Sequence, residues 1–333
     1  MTFDTILPEK KQMTHSQTPV DCIYLAACAR DGRLTRICTA SIRYFYPNVP
    51  IRILAGDILE KGLAEELQKY WNVGVVDLPA ADYGSGFIKL EPLFGPAGQR
   101  FMVLDVDTVF AGKVLEHRAQ SDAPFIVDDE NLPDSGLKRL YYDWDKLRDI
   151  DPQVQPARRA FNTGQWFGVA GVLRREDFDP WVEWTLPRRL KYSDRFMTGD
   201  QGVQNYVMLQ KEAHGGLRMD RRAIMRWPGQ SMAGLEIASI TACTAPPVVV
   251  HWAGMKAMFL RNMAGSDLLQ FFERYYYSKL PASRLRRLIG LWRHVSINVS
   301  FEISRRIRLR WQIWFGQRAG ESSSVLVKQT IGS

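Results

Sequence analysis

The run Phe101-Met-Val-Leu-Asp-Val-Asp-Thr-Val-Phe110 constrains the fold more than any other stretch of this chain. It is apolar and rich in β formers, yet it carries two carboxylates one residue apart, Asp105 and Asp107. In a strand, residues i and i+2 point the same way, so both acids are predicted to project to one side where the strand leaves its sheet. Two uncompensated negative charges there would be costly to bury. A divalent cation with oxygen ligands removes that cost and keeps coordination positions open for a diphosphate. On the pair alone, a solvated strand end is the better explanation of the acids, and only the context of other segments favours chemistry.

The flanking pattern supports a buried sheet. From Asp21 to about Leu137, short apolar runs alternate with helical stretches, as in βαβ units. Strands are predicted at 21–27, 51–55, 73–78 and 125–127, and helices at 34–46 and 59–70. Further along, Phe161-Asn-Thr-Gly-Gln-Trp-Phe-Gly-Val-Ala170 reads as a strand with glycines that admit a close approach. Residues 174–190 and 199–211 read as helices, and Pro247–Trp252 as a last core strand carrying His251. The predicted division is an N-terminal tail at 1–19, an α/β domain at 20–265 and a basic extension at 266–333.

Charge is concentrated at the C-terminus. Residues 281–320 hold nine arginines against one acid, Glu302, which accounts for the whole formal excess of +8. The main body is therefore balanced and need not bind a polyanion, so nucleic acid is not an expected partner. Leu288, Trp292, Val295, Val299, Ile303, Ile307, Trp311 and Trp314 fall on a helical stripe, although residues 295–303 also alternate as a strand would. Either the extension lies on an anionic membrane through 281–318, or it packs its apolar face on the domain and leaves the arginines in water. No apolar run approaches the roughly 18 residues of a membrane span, and residues 1–19 lack a signal-type apolar core. The expected location is the cytoplasm, peripheral on the inner membrane face if the extension binds lipid. Cys22, Cys28, Cys38 and Cys243 have no metal-site spacing and read as reduced thiols.

Four polar clusters stand at predicted element ends: Leu104-Asp-Val-Asp107, Phe161-Asn-Thr-Gly164, Asp200-Gln201 and His251-Trp-Ala-Gly254. Their order and separations resemble the retaining glycosyltransferases of the GT-A fold, family 8-like, over about residues 20–262. The resemblance implies a Rossmann-like mixed α/β sheet flanked by helices, followed here by the basic helical extension. It implies that Asp105, Asp107 and His251 hold Mn²⁺ or Mg²⁺, which bridges the diphosphate of a UDP-sugar. Donor contacts fall to Ala26, Lys89, Asp105, Asp128, Asn162, Gly164, Gly254 and Lys256, while Asp200 and Gln201 act at the sugar. Bland alternatives stand beside these: a helix N-cap for Asp200, a strand bulge for Gly164 and a solvated cation for Lys89. Asp129 leaves the Asp128 assignment ambiguous by one residue. Lys256 falls one residue earlier than the family's His-x-x-Gly-x-x-Lys pattern, and Cys28-Ala29 stands where the family often has an acid.

The implied activity is metal-dependent transfer of a hexose, glucose or galactose, from a UDP-sugar to a saccharide or lipid-linked acceptor with retention. Two other readings compete. A sugar-phosphate nucleotidylyltransferase would need a glycine-rich loop after the first strand, where Ala26-Ala-Cys-Ala-Arg-Asp-Gly32 has one glycine. A silent binding module tethered by the extension would have no use for the metal-ligand set.

Overall fold

The structure is a computed structural model that describes residues 18–56, 59–78, 86–230, 232–255, 259–300 and 303–304. Its twelve strands are β1 Cys22–Ala27, β2 Ile51–Ala55, β3 Val73–Val75, β4 Arg100–Asp105, β5 Thr108–Phe110, β6 Phe125–Val127, β7 Gln165–Val169, β8 Val182–Glu183, β9 Arg189–Leu190, β10 Met219–Arg221, β11 Met225–Arg226 and β12 Val249–His251. Seven form the central sheet in the order β10-β6-β7-β4-β1-β2-β3. All neighbours there are parallel except β7, which runs antiparallel to both β4 and β6. This is the mixed, parallel-rich sheet that the resemblance implies.

Strands β1 and β4 sit at the centre with both faces covered, so their sequences are nearly continuous in apolar residues. Alternate side chains serve different layers. Ile23, Leu25, Met102 and Leu104 pack toward the helices Gly32–Phe45 and Ser266–Ser278. Cys22, Tyr24, Phe101 and Val103 pack toward Trp166 and the helix Asp200–Ala213.

The acidic run is not one strand. Strand β4 ends at Asp105, Val106 and Asp107 form a turn, and β5 pairs antiparallel with β12 in a separate sheet ordered β11-β12-β5. The Thr108 hydroxyl donates to the Asp105 carbonyl at 2.6 Å and braces the switch between sheets. Asp105 and Asp107 are thus brought together by a turn rather than by strand alternation.

Residues 174–190 are a second correction. In place of a helix they form a single 3₁₀ turn, Arg175–Asp177, then the hairpin β8–β9. Pro180 and Pro187 lack the N–H groups that a continuous helix through this stretch would need.

At the C-terminus the helix Ser266–Ser278 packs on Gly32–Phe45, burying Leu268, Leu269, Phe272 and Tyr276. Residues 283–300 are helical, so the strand alternative is not realised over 295–300. This helix is turned opposite to the packing expectation. Arg286, Arg287 and Arg293 face the body, 3.6 Å from Glu66, 3.0 Å from Glu273 and 3.7 Å from Glu60. Gly290 lies against Tyr277 with no room for a side chain. Leu285, Leu288, Ile289, Trp292 and Val299 face outward, with Trp292 69% exposed. Residues 301–302 and 305–318 of the segment 281–318 lie outside the described residues.

Candidate active site

The site lies where several elements end on one edge of the central sheet. Because β7 runs against β4, the Asn162-Thr163-Gly164 segment that opens it stands at the carboxyl end of β4. Leu104 is in register with Gln165, and Asp105 N–H donates to the Gly164 carbonyl at 2.8 Å. Ala26 pairs with Asp105 at the same end of β1. The second sheet supplies the histidine: His251 is in register with Thr108, and Trp252 N–H donates to the Asp107 carbonyl at 2.9 Å. This is the crevice beyond strand ends where α/β sheets place ligands.

One ligand atom from each of Asp105, Asp107 and His251 falls within 4.8 Å of the other two. The His251 ring is 1% exposed, and its Nε2 lies 3.2 Å from an Asp107 oxygen. That contact is not oriented as a hydrogen bond, and among the described residues neither ring nitrogen has a hydrogen-bond partner. A buried imidazole without such partners is costly as a purely structural feature. Two carboxylates and an imidazole suit a divalent cation, so the residues present fit a metal. The ring is held from two sides. Trp227 stacks on it at 5.4 Å between centroids, and Gly164 lies so close that a Cβ there would come within 2.2 Å of Cε1.

Lys89 joins this cluster to the sugar side. Its ammonium lies 3.3 Å from Asp105 and 2.9 Å from Asp200, and it is buried. Burial alone would lower its pKa, but the two carboxylates outweigh that and hold it above the ordinary value. It is a paired buried cation rather than a solvated one. Burial pushes the Asp200 carboxyl upward while Lys89 draws it back. Asp200 is the first residue of its helix and not the N-cap, which is Gly199. Its carboxylate serves Lys89 and Thr163, and Gly86 leaves space for it, since a Cβ on Gly86 would fall 2.2 Å from Asp200 Oδ1.

Gln201 is fixed at both ends of its amide. Nε2 donates to the Leu140 carbonyl at 3.3 Å, and Oε1 accepts from Thr163 N–H at 3.4 Å. Asn162 Oδ1 accepts from Gly164 N–H at 2.7 Å in a local turn. The buried Asn205 amide clamps the Phe161 backbone through N–H and carbonyl, both at 2.9 Å. Sequence reading missed Asn205, Thr163, Gly86 and Trp227. Helix 200–213 buries Gln204, Asn205 and Gln210 alike, so its sequence pattern does not single out Asn205.

Asp128 and Glu130 divide roles. Asp128 Oδ1 accepts from the backbone N–H groups of Ile224 and Met225 at 3.0 and 3.2 Å, which ties the end of β6 to the start of β11. Burial raises its pKa to about 6, with those two donors opposing the rise. Glu130, two residues on, is more exposed and accepts from the Tyr141 hydroxyl. Burial raises its pKa as well. Gly254 sits in an exposed turn after His251 with φ +69°, and Lys256 lies outside the described residues.

No family model matches the chain, and no curated protein matches it. Solved structures do. A galactosyltransferase, LgtC, in complex with donor and acceptor sugar analogs is similar at 14% identity with TM-score 0.53, over 80% of this chain and 99% of that one. The bifunctional glycosyltransferase WbbM gives 12% identity and TM-score 0.48 over 79% of this chain and 50% of that one. The glycosyltransferase GlyE of Streptococcus pneumoniae gives 11% identity and TM-score 0.47 over 83% and 64%. At these identities the likeness is one of fold: a Rossmann-like mixed sheet flanked by helices, shared with LgtC along nearly its whole length.

Proposed function

We propose that the protein is a metal-dependent glycosyltransferase that moves a hexose, glucose or galactose, from a UDP-sugar to a saccharide or lipid-linked acceptor with retention. One observation carries the reading. Lys89 bonds both Asp105, in the metal-ligand set, and Asp200, beside Gln201, so diphosphate and sugar subsites form one continuous polar crevice. The likeness to a galactosyltransferase fold supports the same class of chemistry.

Asp105, Asp107 and His251 would hold Mn²⁺ or Mg²⁺, which neutralises charge on the departing nucleoside diphosphate. Ala26, Asn162, Gly164 and Gly254 line the donor path, with Lys256 and Asp128 as further donor contacts. Lys89 neutralises the Asp200 carboxylate, which accepts from sugar hydroxyls. The Gln201 carbonyl oxygen would act near the reacting carbon and stabilise the positive charge that grows there. Asp200 is engaged by an ammonium and a hydroxyl, which disqualifies it as the free base an inverting reaction needs. That favours retention.

The test is a panel of UDP-hexoses with Mn²⁺, read by UDP release and by the anomeric configuration of the product. Turnover lost in Asp107→Ala, with the protein still folded, is the expected result. An inverted product abolished by Glu130→Gln would transfer the base role to Glu130. Pyrophosphate release from UTP and a sugar 1-phosphate would replace the reading with nucleotidyl transfer. Binding of UDP-sugar without any turnover would leave a silent module.

The helix at 283–300 bears on where the acceptor lies. Its inner arginines are committed to Glu60, Glu66 and Glu273, and its outer face is apolar. Among the described residues, no helix is long and apolar enough to cross a membrane. We place this face on a lipid surface, Trp292 and Leu288 entering the acyl boundary while Arg284 meets anionic headgroups. Co-sedimentation with vesicles containing phosphatidylglycerol should fall in Trp292→Asp, and unchanged binding would remove the idea.

A further inference from the structure

Thr163 stands between Asn162 and Gly164, and the resemblance leaves it without a role. It is 1% exposed and stands between both sugar-side residues and Lys89. Its hydroxyl lies 3.3 Å from Lys89 Nζ and 3.2 Å from Asp200 Oδ2. Its backbone N–H donates to Gln201 Oε1 at 3.4 Å. An ammonium has no acceptor capacity, so the hydroxyl must accept from Lys89. Its single hydrogen is then directed at Asp200. The ammonium at one end and the carboxylate at the other thus fix the polarity of the chain from Lys89 through Thr163 to Asp200.

We infer that Thr163 is a positioning residue for sugar transfer: its hydroxyl sets the rotation of Asp200 while its N–H sets the amide of Gln201. This rests on the reading of the crevice as a nucleotide-sugar site. Asp200 Oδ2 receives both Lys89 and Thr163, so the plane of the carboxylate has no freedom left. Oδ1 is turned onto Gly86, where only a residue without a side chain leaves space. Thr163 is β-branched, and its restricted χ1 keeps the hydroxyl aimed. The diphosphate end of the site depends on other groups, so loosening Thr163 should misplace the sugar without releasing the nucleotide. Near-attack geometry is sensitive to shifts of this kind.

The experiment uses the full-length chain with Thr163→Val and Thr163→Ser, assayed for UDP-glucose and UDP-galactose turnover with Mn²⁺. Valine keeps the shape and removes the hydroxyl. We expect its kcat to fall about ten- to hundredfold, since a hydrogen bond to a charged group is lost, with the donor KM little changed. Serine restores most of the rate. A purely structural role would instead lower thermal stability in the valine variant and leave kcat per folded molecule unchanged, which overturns the inference. So does a loss confined to KM. If the unaltered protein turns over no nucleotide sugar, the parent reading fails, and a crystal structure of Thr163→Val then decides the inference separately. A rotated Asp200 carboxylate supports it, and side chains of Asp200 and Gln201 left in place overturn it.

Discussion

Gly164→Ala is the substitution whose outcome the geometry dictates most closely. The added Cβ would stand 2.2 Å from His251 Cε1, 2.9 Å from Nδ1 and 2.8 Å from Asn162 Oδ1. Relaxed carbon–carbon contact needs about 3.5–4.0 Å, so the imidazole must shift by about 1 Å or more. Trp227 is stacked on the ring at an interplanar angle of 16°, which limits movement on that side. Metal–nitrogen bonds tolerate about 0.2 Å, so a shift of that size takes the ring out of bonding reach. Gly164 does not sit in the left-handed region, and the effect is therefore one of space rather than backbone strain. Overpacking of this kind costs about 1–3 kcal/mol in stability, which leaves a folded protein to assay. We expect calorimetric titration with Mn²⁺ to show affinity reduced about 10- to 100-fold, as when the support of a ligating histidine is disturbed. A folded variant that binds Mn²⁺ as tightly as the unaltered protein would refute the argument that Gly164 makes room for a metal-ligating ring.

Arg36 is 3% exposed and bonds Glu60 through two nitrogens at 2.9 and 3.0 Å and Glu66 at 2.8 Å. Arg36→Met leaves Glu60 with Arg293 at 3.7 Å and Glu66 with Arg286 at 3.6 Å and the Tyr276 hydroxyl, so it should cost about 1.5–3 kcal/mol by urea denaturation, and a loss under 1 kcal/mol would contradict the pairing. Asp128 should give stability a pH dependence. Its folded pKa of about 6 lies above the ordinary value of 3.8, so the folded state holds the proton more tightly and stability falls as pH rises from about 4 to 6. The swing is about 3 kcal/mol. Asp128→Asn keeps the acceptor for Ile224 and Met225, so its melting curves should lack that slope, and a retained slope would assign it elsewhere. Gly290→Val, whose side chain meets the Tyr277 hydroxyl, should lift the helix at 283–300 and speed tryptic cleavage at Arg286 and Arg287. Unchanged cleavage would mean that the helix is held without that contact.

What was legible in the sequence was the set of polar residues that end apolar runs. Asp105, Asp107, Asp200 and His251 could be picked out because a buried strand or helix end tolerates such groups only with a reason. Their mutual placement depended on pairings between distant segments, β4 with β7 and β5 with β12, which no local pattern encodes. The same limit hid Thr163, Trp227 and Gly86, whose roles arise from contacts across 24 to 114 residues of chain. Residues 174–190 carry charged and aromatic residues at near-helical intervals, but Pro180 and Pro187 interrupt the backbone N–H pattern that a continuous helix needs. The extension was legible as an amphipathic helix but not in its orientation. Glu60, Glu66 and Glu273 turn its arginines inward, and those acids come from three separate segments of the body.

Everything proposed about catalysis depends on a cation gathered by the two acids and the imidazole at the sheet edge. Diffraction from crystals grown with MnCl₂ and UDP, collected for manganese anomalous scattering, tests this most directly. The account predicts one strong peak about 2.0–2.6 Å from carboxylate oxygens of Asp105 and Asp107 and from a ring nitrogen of His251, with diphosphate oxygens completing its shell. A crevice that binds UDP with no manganese peak, or a peak from which His251 stands apart, would contradict it.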